Sequence, residues 1–78
     1  MLRLHPQVSV RPEPFGALLY HFGTRRLSFL KDRRLLDVVR RLDGSTELEA
    51  ALADVPEAER AAFRTALNTL EKTGMLTA

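Results

Sequence analysis

The stretch "PFGALLYHFGTRRLSFL", Pro14 to Leu30, concentrates Phe15, Leu18, Leu19, Tyr20, Phe22, Leu27, Phe29 and Leu30 in one short block of a 78-residue chain. Two β-like runs, Gly16 to Phe22 and Arg25 to Leu30, flank Gly23-Thr24. Glycine at the first of two loop positions predicts a type II′ hairpin turn. That turn sets Phe22 opposite Arg25, Tyr20 opposite Leu27, and Leu18 opposite Phe29. One face then collects Leu18, Tyr20, Phe22, Leu27 and Phe29, and is expected to form the core. The other carries Ala17, Leu19, His21, Arg26, Ser28 and Leu30, a mixed set expected to be partly wet. His21 reads there as a surface or cross-strand residue.

Working outward, "QVSVR" alternates through Val8 and Val10 between Pro6 and Pro12, giving a first strand over about 7–12, with "PEP" (Pro12 to Pro14) as a turn. The hairpin strands fall at about 16–22 and 25–30. Beyond them the period changes to that of helices, expected at about 32–43, 46–54 and 56–73. Asp32 suits an N-cap, and Leu35, Val38, Val39 and Leu42 make a stripe at i, i+3, i+4, i+7. Asp43-Gly44 ends that helix. "TELE" (Thr46 to Glu49) has capping-box form ahead of Leu48, Ala51, Leu52 and Val55. Pro56 suits a first helical turn. Ala62, Phe63, Ala66, Leu67 and Leu70 line the last helix, which Gly74 closes, and Met75-Leu76 forms a tail able to pack back. Strands followed by helices, with no linker or repeat, argue a single α+β domain over 1–78.

A chain of this length buries roughly 60% of its unfolded surface, so its core is modest. It has no cysteine, which removes disulfides and thiolate metal sites and fits a reducing cytoplasm. No apolar run approaches the roughly 20 residues that span a bilayer, and "MLRLHPQVSV" lacks the pattern of a signal peptide. The net charge of +2 conceals an asymmetry. Residues 1–42 carry nine Lys/Arg against three acids, +6; residues 43–78 carry three against seven, −4.

An open sheet edge is the main functional feature. The prolines blunt the first strand, whereas "RRLSFL" has none. In a two-residue hairpin Phe22 and Arg25 exchange hydrogen bonds, so Arg26, Ser28 and Leu30 turn their backbone polar groups outward. Arg25, Arg26 and Lys31 can act as gatekeepers against aggregation, or the edge can accept an extended peptide as a fourth strand. An edge-to-edge pair of copies is a third use of it, so the expected state is a monomer or a weak edge-mediated dimer.

"VRPEPFGALLYHFGTRRLSFLK" closely resembles the signature of the small peptide chaperones of mycofactocin biosynthesis. These are similar to the recognition elements for ribosomally made, modified peptides, typified by the pyrroloquinoline quinone peptide chaperone. The resemblance is most specific over Arg11–Lys31 and extends to "LLDVVRRLDG". It implies a winged-helix-like α+β fold of three antiparallel strands and three helices, with no catalysis and no cofactor of its own. It implies that a precursor-peptide leader binds along the third strand, in a cleft closed by the third helix, and is presented to a radical S-adenosylmethionine enzyme. Mapped here, the cleft comprises Arg26, Leu27, Ser28, Phe29, Leu30 and Lys31 with Phe63, Leu67 and Leu70. The last three read equally well as plain core.

The rival reading is a winged-helix nucleic-acid binder. Its recognition helix would be the third, where Arg60, Arg64 and Lys72 are cancelled by Glu57, Glu59 and Glu71, against the basic helix that phosphate demands. Catalysis has less support. His5 and His21 lack partners at metal-ligand spacing, Glu47/Glu49 and Glu57/Glu59 diverge on helices, and neither Ser28 nor Ser45 has a base nearby.

Overall fold

The computed structural model describes all 78 residues. Three strands form an antiparallel meander: β2 (Val8–Glu13), β3 (Gly16–His21) and β4 (Arg26–Leu30), in spatial order β2-β3-β4. Ahead of them β1 (Arg3–Leu4) pairs with β5 (Leu76–Thr77) in a separate two-stranded ribbon. Between β4 and β5 lie α1 (Arg33–Arg41), α2 (Leu48–Ala51) and α3 (Glu57–Lys72). The fold is thus mixed, a three-stranded antiparallel sheet with three helices.

The pairing of β3 with β4 keeps the expected register: Tyr20 faces Leu27 and Leu18 faces Phe29. The turn does not keep its expected form. The last pair is His21 with Arg26, so the loop has four residues, Phe22 to Arg25, and not two. Arg25 N–H closes it onto the His21 carbonyl at 2.7 Å, with Arg25 at φ 59. The His21 imidazole organises the loop from below: its Nδ1 accepts from Gly23 N–H at 3.0 Å and Thr24 N–H at 3.1 Å. Gly23 is needed for space, not for a positive φ. A Cβ there would lie 2.4 Å from Gln7 Oε1 and 2.9 Å from the His21 ring. The turn before β3 also moves: Pro12 and Glu13 pair with Ala17 and Gly16, leaving Pro14-Phe15 as the loop.

The two faces of the hairpin are the reverse of the sequence expectation. Ala17, Leu19, His21 and Leu30 are buried, while Phe22, Leu27 and Phe29 are more than half exposed. The helices decide this. Only Lys31 and Asp32 separate β4 from α1, so α1 folds directly onto the face to which Leu30 points and packs Leu35, Leu36, Val38 and Val39 there. Bulk alone does not select a core face; a covering layer does. His21, 4% exposed and set against His5 with ring centroids 4.4 Å apart, is a buried residue, because its bonds to the loop satisfy it there.

Asp32 caps α1 as expected, accepting Arg34 N–H at 2.8 Å. The capping box at "TELE" does not form. Thr46 hydroxyl and N–H instead go to Asp43 Oδ1, with those of Ser45, and Glu49 reaches Arg64. Helix α2 is accordingly a single short turn. The tail packs back fully: Met75 and Leu76 are buried, and Met75 carbonyl accepts His5 N–H at 2.9 Å. The β1–β5 ribbon had no sequence signal, because two-residue strands carry no periodicity.

Candidate functional site: a groove beside an open sheet edge

Strand β4 has β3 on one side and no strand on the other. Which of its backbone groups are free follows from the hydrogen-bond phase. Phe22 N–H donates to Gln7 carbonyl at 2.8 Å, so Phe22 faces β2, and alternation turns Tyr20 and Leu18 the same way. His21, Leu19 and Ala17 then face β4 and pair with Arg26, Ser28 and Leu30. The Leu30 carbonyl indeed points at β3, where a Cβ on Gly16 would come within 1.9 Å of it. Leu27 and Phe29 therefore carry the outward N–H and C=O groups. This reverses the expected phase for Arg26, Ser28 and Leu30, because the longer loop shifts the first bonded pair by one residue.

A groove of about 400 Å³ runs along this edge. Leu27, Ser28, Phe29, Leu30 and Lys31 form one wall, Leu35 of α1 contributes to the lining, and Ala66, Thr69 and Leu70 of α3 with its C-cap Thr73 form the other wall. Of the residues expected from sequence, Leu27 to Lys31 and Leu70 line it. Arg26 does not, standing at the loop end of the strand. Phe63 and Leu67 do not either; both are core residues, 7% and 0% exposed. Phe63 is sealed by the Arg34 guanidinium, 5.5 Å above its ring.

Leu35, Ala66, Thr69 and Thr73 escaped the sequence reading. The signal was there in part: Ala66, Thr69 and Thr73 make a small-residue stripe at i, i+3, i+7 beside the Phe63/Leu67/Leu70 core stripe. The Thr69 hydroxyl donates to Thr65 carbonyl at 3.0 Å and that of Thr73 to Thr69 carbonyl at 3.1 Å. Their donors are thus spent on the helix itself, so the α3 wall asks little hydrogen bonding of an occupant.

Helix α3 is held by charged contacts in its first half and lines the groove with its second. Arg34 binds Glu59 through both oxygens, at 2.7 and 2.8 Å, while also bonding Asp32. Bonds to Glu59 and Asp32 push the Arg34 guanidinium upward from its ordinary value; bonds from Arg34 hold both carboxyls below theirs. Arg64 pairs with Glu49 at 2.7 Å, with the Arg64 pKa raised and that of Glu49 lowered by the contact. Arg60 donates to the Val55 and Ala53 carbonyls. The ion pairs among them, exposed to solvent, fix geometry more than stability. No group of three or more His, Cys, Asp or Glu side chains is placed to hold a metal.

The model of the peptide chaperone MftB family matches residues 1–77. The chain belongs to the peptide chaperone MftB family. Peptide chaperone MftB of Mycobacterium ulcerans is 55% identical over 76 residues, spanning 95% of this chain and 70% of that protein. The proteins of the same name from Mycobacterium tuberculosis and Mycolicibacterium smegmatis are 53% identical over 76 residues, again 95% of this chain and 70% and 74% of theirs. Among solved structures, lasso peptide synthetase B1 complexed with the leader peptide superposes with a TM-score of 0.68 at 26% identity, over 99% of this chain and 98% of the other.

Proposed function

We propose that this MftB-family chain binds the leader of a precursor peptide as an added strand on β4 and presents it to a radical S-adenosylmethionine enzyme of mycofactocin biosynthesis. The observation that carries this is the conjunction of free backbone groups at Leu27 and Phe29 with a groove on the same edge. An extended peptide bonded there gains main-chain pairing, and alternate side chains enter the groove towards Leu70, Ala66 and Thr69. The family and the leader-bound structural relative support the same reading. On it, the domain is a winged-helix-like recognition module acting in the cytoplasm and contributing no reacting group. The nucleic-acid alternative finds less support: Arg34, Arg60 and Arg64 are engaged by partners within the chain.

The test is calorimetric titration with the leader peptide encoded beside the gene. Wild type binds one to one. Phe29→Pro, which deletes an outward N–H and leaves the β3 ladder whole, abolishes binding, while Phe29→Ala only weakens it. Equal binding by a folded Phe29→Pro protein would overturn the edge assignment.

A further inference from the structure

Neither the core nor the groove accounts for the outer face of the meander. Leu18, Tyr20 and Phe22 of β3 and its loop stand there beside Leu27 and Phe29 of β4. Tyr20 and Phe22 meet edge to face at 5.0 Å, and Phe15 joins Phe29 at 6.4 Å. Phe22, Phe29, Leu27 and Phe15 are 61, 57, 51 and 47% exposed. Scattered apolar residues on a surface are ordinary, but a contiguous patch of four aromatic rings and two leucines marks an interaction surface.

The charge around it selects the occupant. No Asp or Glu occurs from Pro14 to Lys31, and Glu13, opposite Gly16 on the neighbouring strand, is neutralised by Arg11 at 2.8 Å. Arg25, Arg26, Lys31 and Arg33 form no ion pair, nor do Arg3, Arg40, Arg60 and Lys72 elsewhere, whereas Arg11, Arg41 and Arg64 each have one and Arg34 has two. The chain thus leaves uncompensated cations at this hairpin. An aromatic face bounded along β4 by unpaired cations, Arg25 in the loop before the strand and Lys31 directly after it, suits an apolar partner surface with an acidic border.

The face is also continuous with the groove edge. A strand added to β4 would place every second side chain beside Leu27 and Phe29, on this same outer side. We propose that the outer face is the docking surface for the enzyme that modifies the bound peptide, so that the enzyme contacts the chaperone and the outward residues of the leader together. This rests on the leader-strand reading, and it makes leader and enzyme binding mutually reinforcing, since each completes the surface the other meets.

Phe22 lies on the face but not in the groove, so Phe22→Glu separates the two sites. The chain is titrated with the partner radical S-adenosylmethionine enzyme, with and without leader peptide, and separately with leader alone. The expected result is leader affinity unchanged for Phe22→Glu, enzyme affinity reduced by about tenfold or more, and a smaller loss with weaker salt dependence for Arg25→Glu. Enzyme binding by Phe22→Glu equal to wild type would overturn the proposal. So would a wild-type dimer in sedimentation velocity that Phe22→Glu dissolves without affecting the enzyme, or Phe22-dependent flotation with phosphatidylglycerol vesicles without enzyme binding. Wild type that binds enzyme through Phe22 but never binds leader would overturn the groove reading alone and uphold the docking face.

Discussion

The two faces of one hairpin differ in the opposite sense from their hydrophobicity. The inner face, with Ala17, Leu19, His21, Ser28 and Leu30, is modest in apolar bulk, yet it forms the floor of the core. The outer face, with Leu18, Tyr20, Phe22, Leu27 and Phe29, is richer in large side chains and is left open. A strand supplies two equivalent faces, and the element that lands on one of them breaks the tie. Here the two-residue link from Leu30 to α1 does so. The small side chain of Ala17 and the bare Cα of Gly16 let that layer and the β4 backbone approach closely. The large side chains on the other side are then available for partners.

The strongest way to break this contrast is Gly16→Ala. Its Cβ would sit 1.9 Å from the Leu30 carbonyl and 3.0 Å from Asp32 N, both backbone atoms that cannot swing aside. The expected loss is about 3 kcal/mol or more, enough to leave a domain of this size largely unfolded in a urea melt. Leu19→Ala, at a fully buried position, should cost about 3 kcal/mol through lost transfer energy and a residual cavity.

The same melt on Phe22→Ser should move stability by no more than about 0.5 kcal/mol, although phenylalanine is the larger side chain. Equal costs for Leu19→Ala and Phe22→Ser would refute the assignment of faces. Gly23→Ala falls between, at about 1 kcal/mol, because one close neighbour is the flexible end of Gln7, which can move.

The smallest expected effect lies away from the sheet. Asp43 accepts the N–H and hydroxyl of Ser45 and then those of Thr46, which lower its pKa from 3.8 to about 2. A lowered folded-state pKa stabilises above the ordinary value and ceases to do so as pH falls through about 2. The stability gap between wild type and Asp43→Ala should therefore be constant above pH about 4 and narrow from there towards pH about 2. A gap independent of pH would mean that the carboxylate charge plays no part in the turn.

Much of the fold was legible along the chain. The helix stripes, the Asp32 cap and the β3–β4 register each depend on neighbours three, four or a few residues apart, and such spacings are written in the sequence. The first helix, expected to end at Asp43-Gly44, stops earlier, at Arg41, with Leu42 as its extended C-cap. The groove was half legible. Leu27 to Lys31 came from strand pattern and family resemblance, while Phe63 and Leu67, on the same helix as Leu70, proved to be core. One helix can present its leucines inward and its alanine and threonines to a groove, and only the rotation of α3 against the sheet separates them. The turn misled for a different reason. Gly23-Thr24 has the composition of a two-residue loop, but a buried histidine ring bonding two loop N–H groups stabilises a four-residue one.

What the sequence determined by itself was therefore periodic and local: the three main strands, the two longer helices, the Asp32 cap, and which residues of the hairpin stand opposite one another. What only the tertiary structure decided was orientation. Alternation with period two is symmetric between the faces of a sheet, and hydrogen-bond phase is symmetric between its edges. Both symmetries are broken by three-dimensional contacts that no periodicity encodes: the layer of α1 laid over Leu19 and Leu30, and the buried His21 ring that holds the four-residue loop and so sets the hydrogen-bond phase of β4.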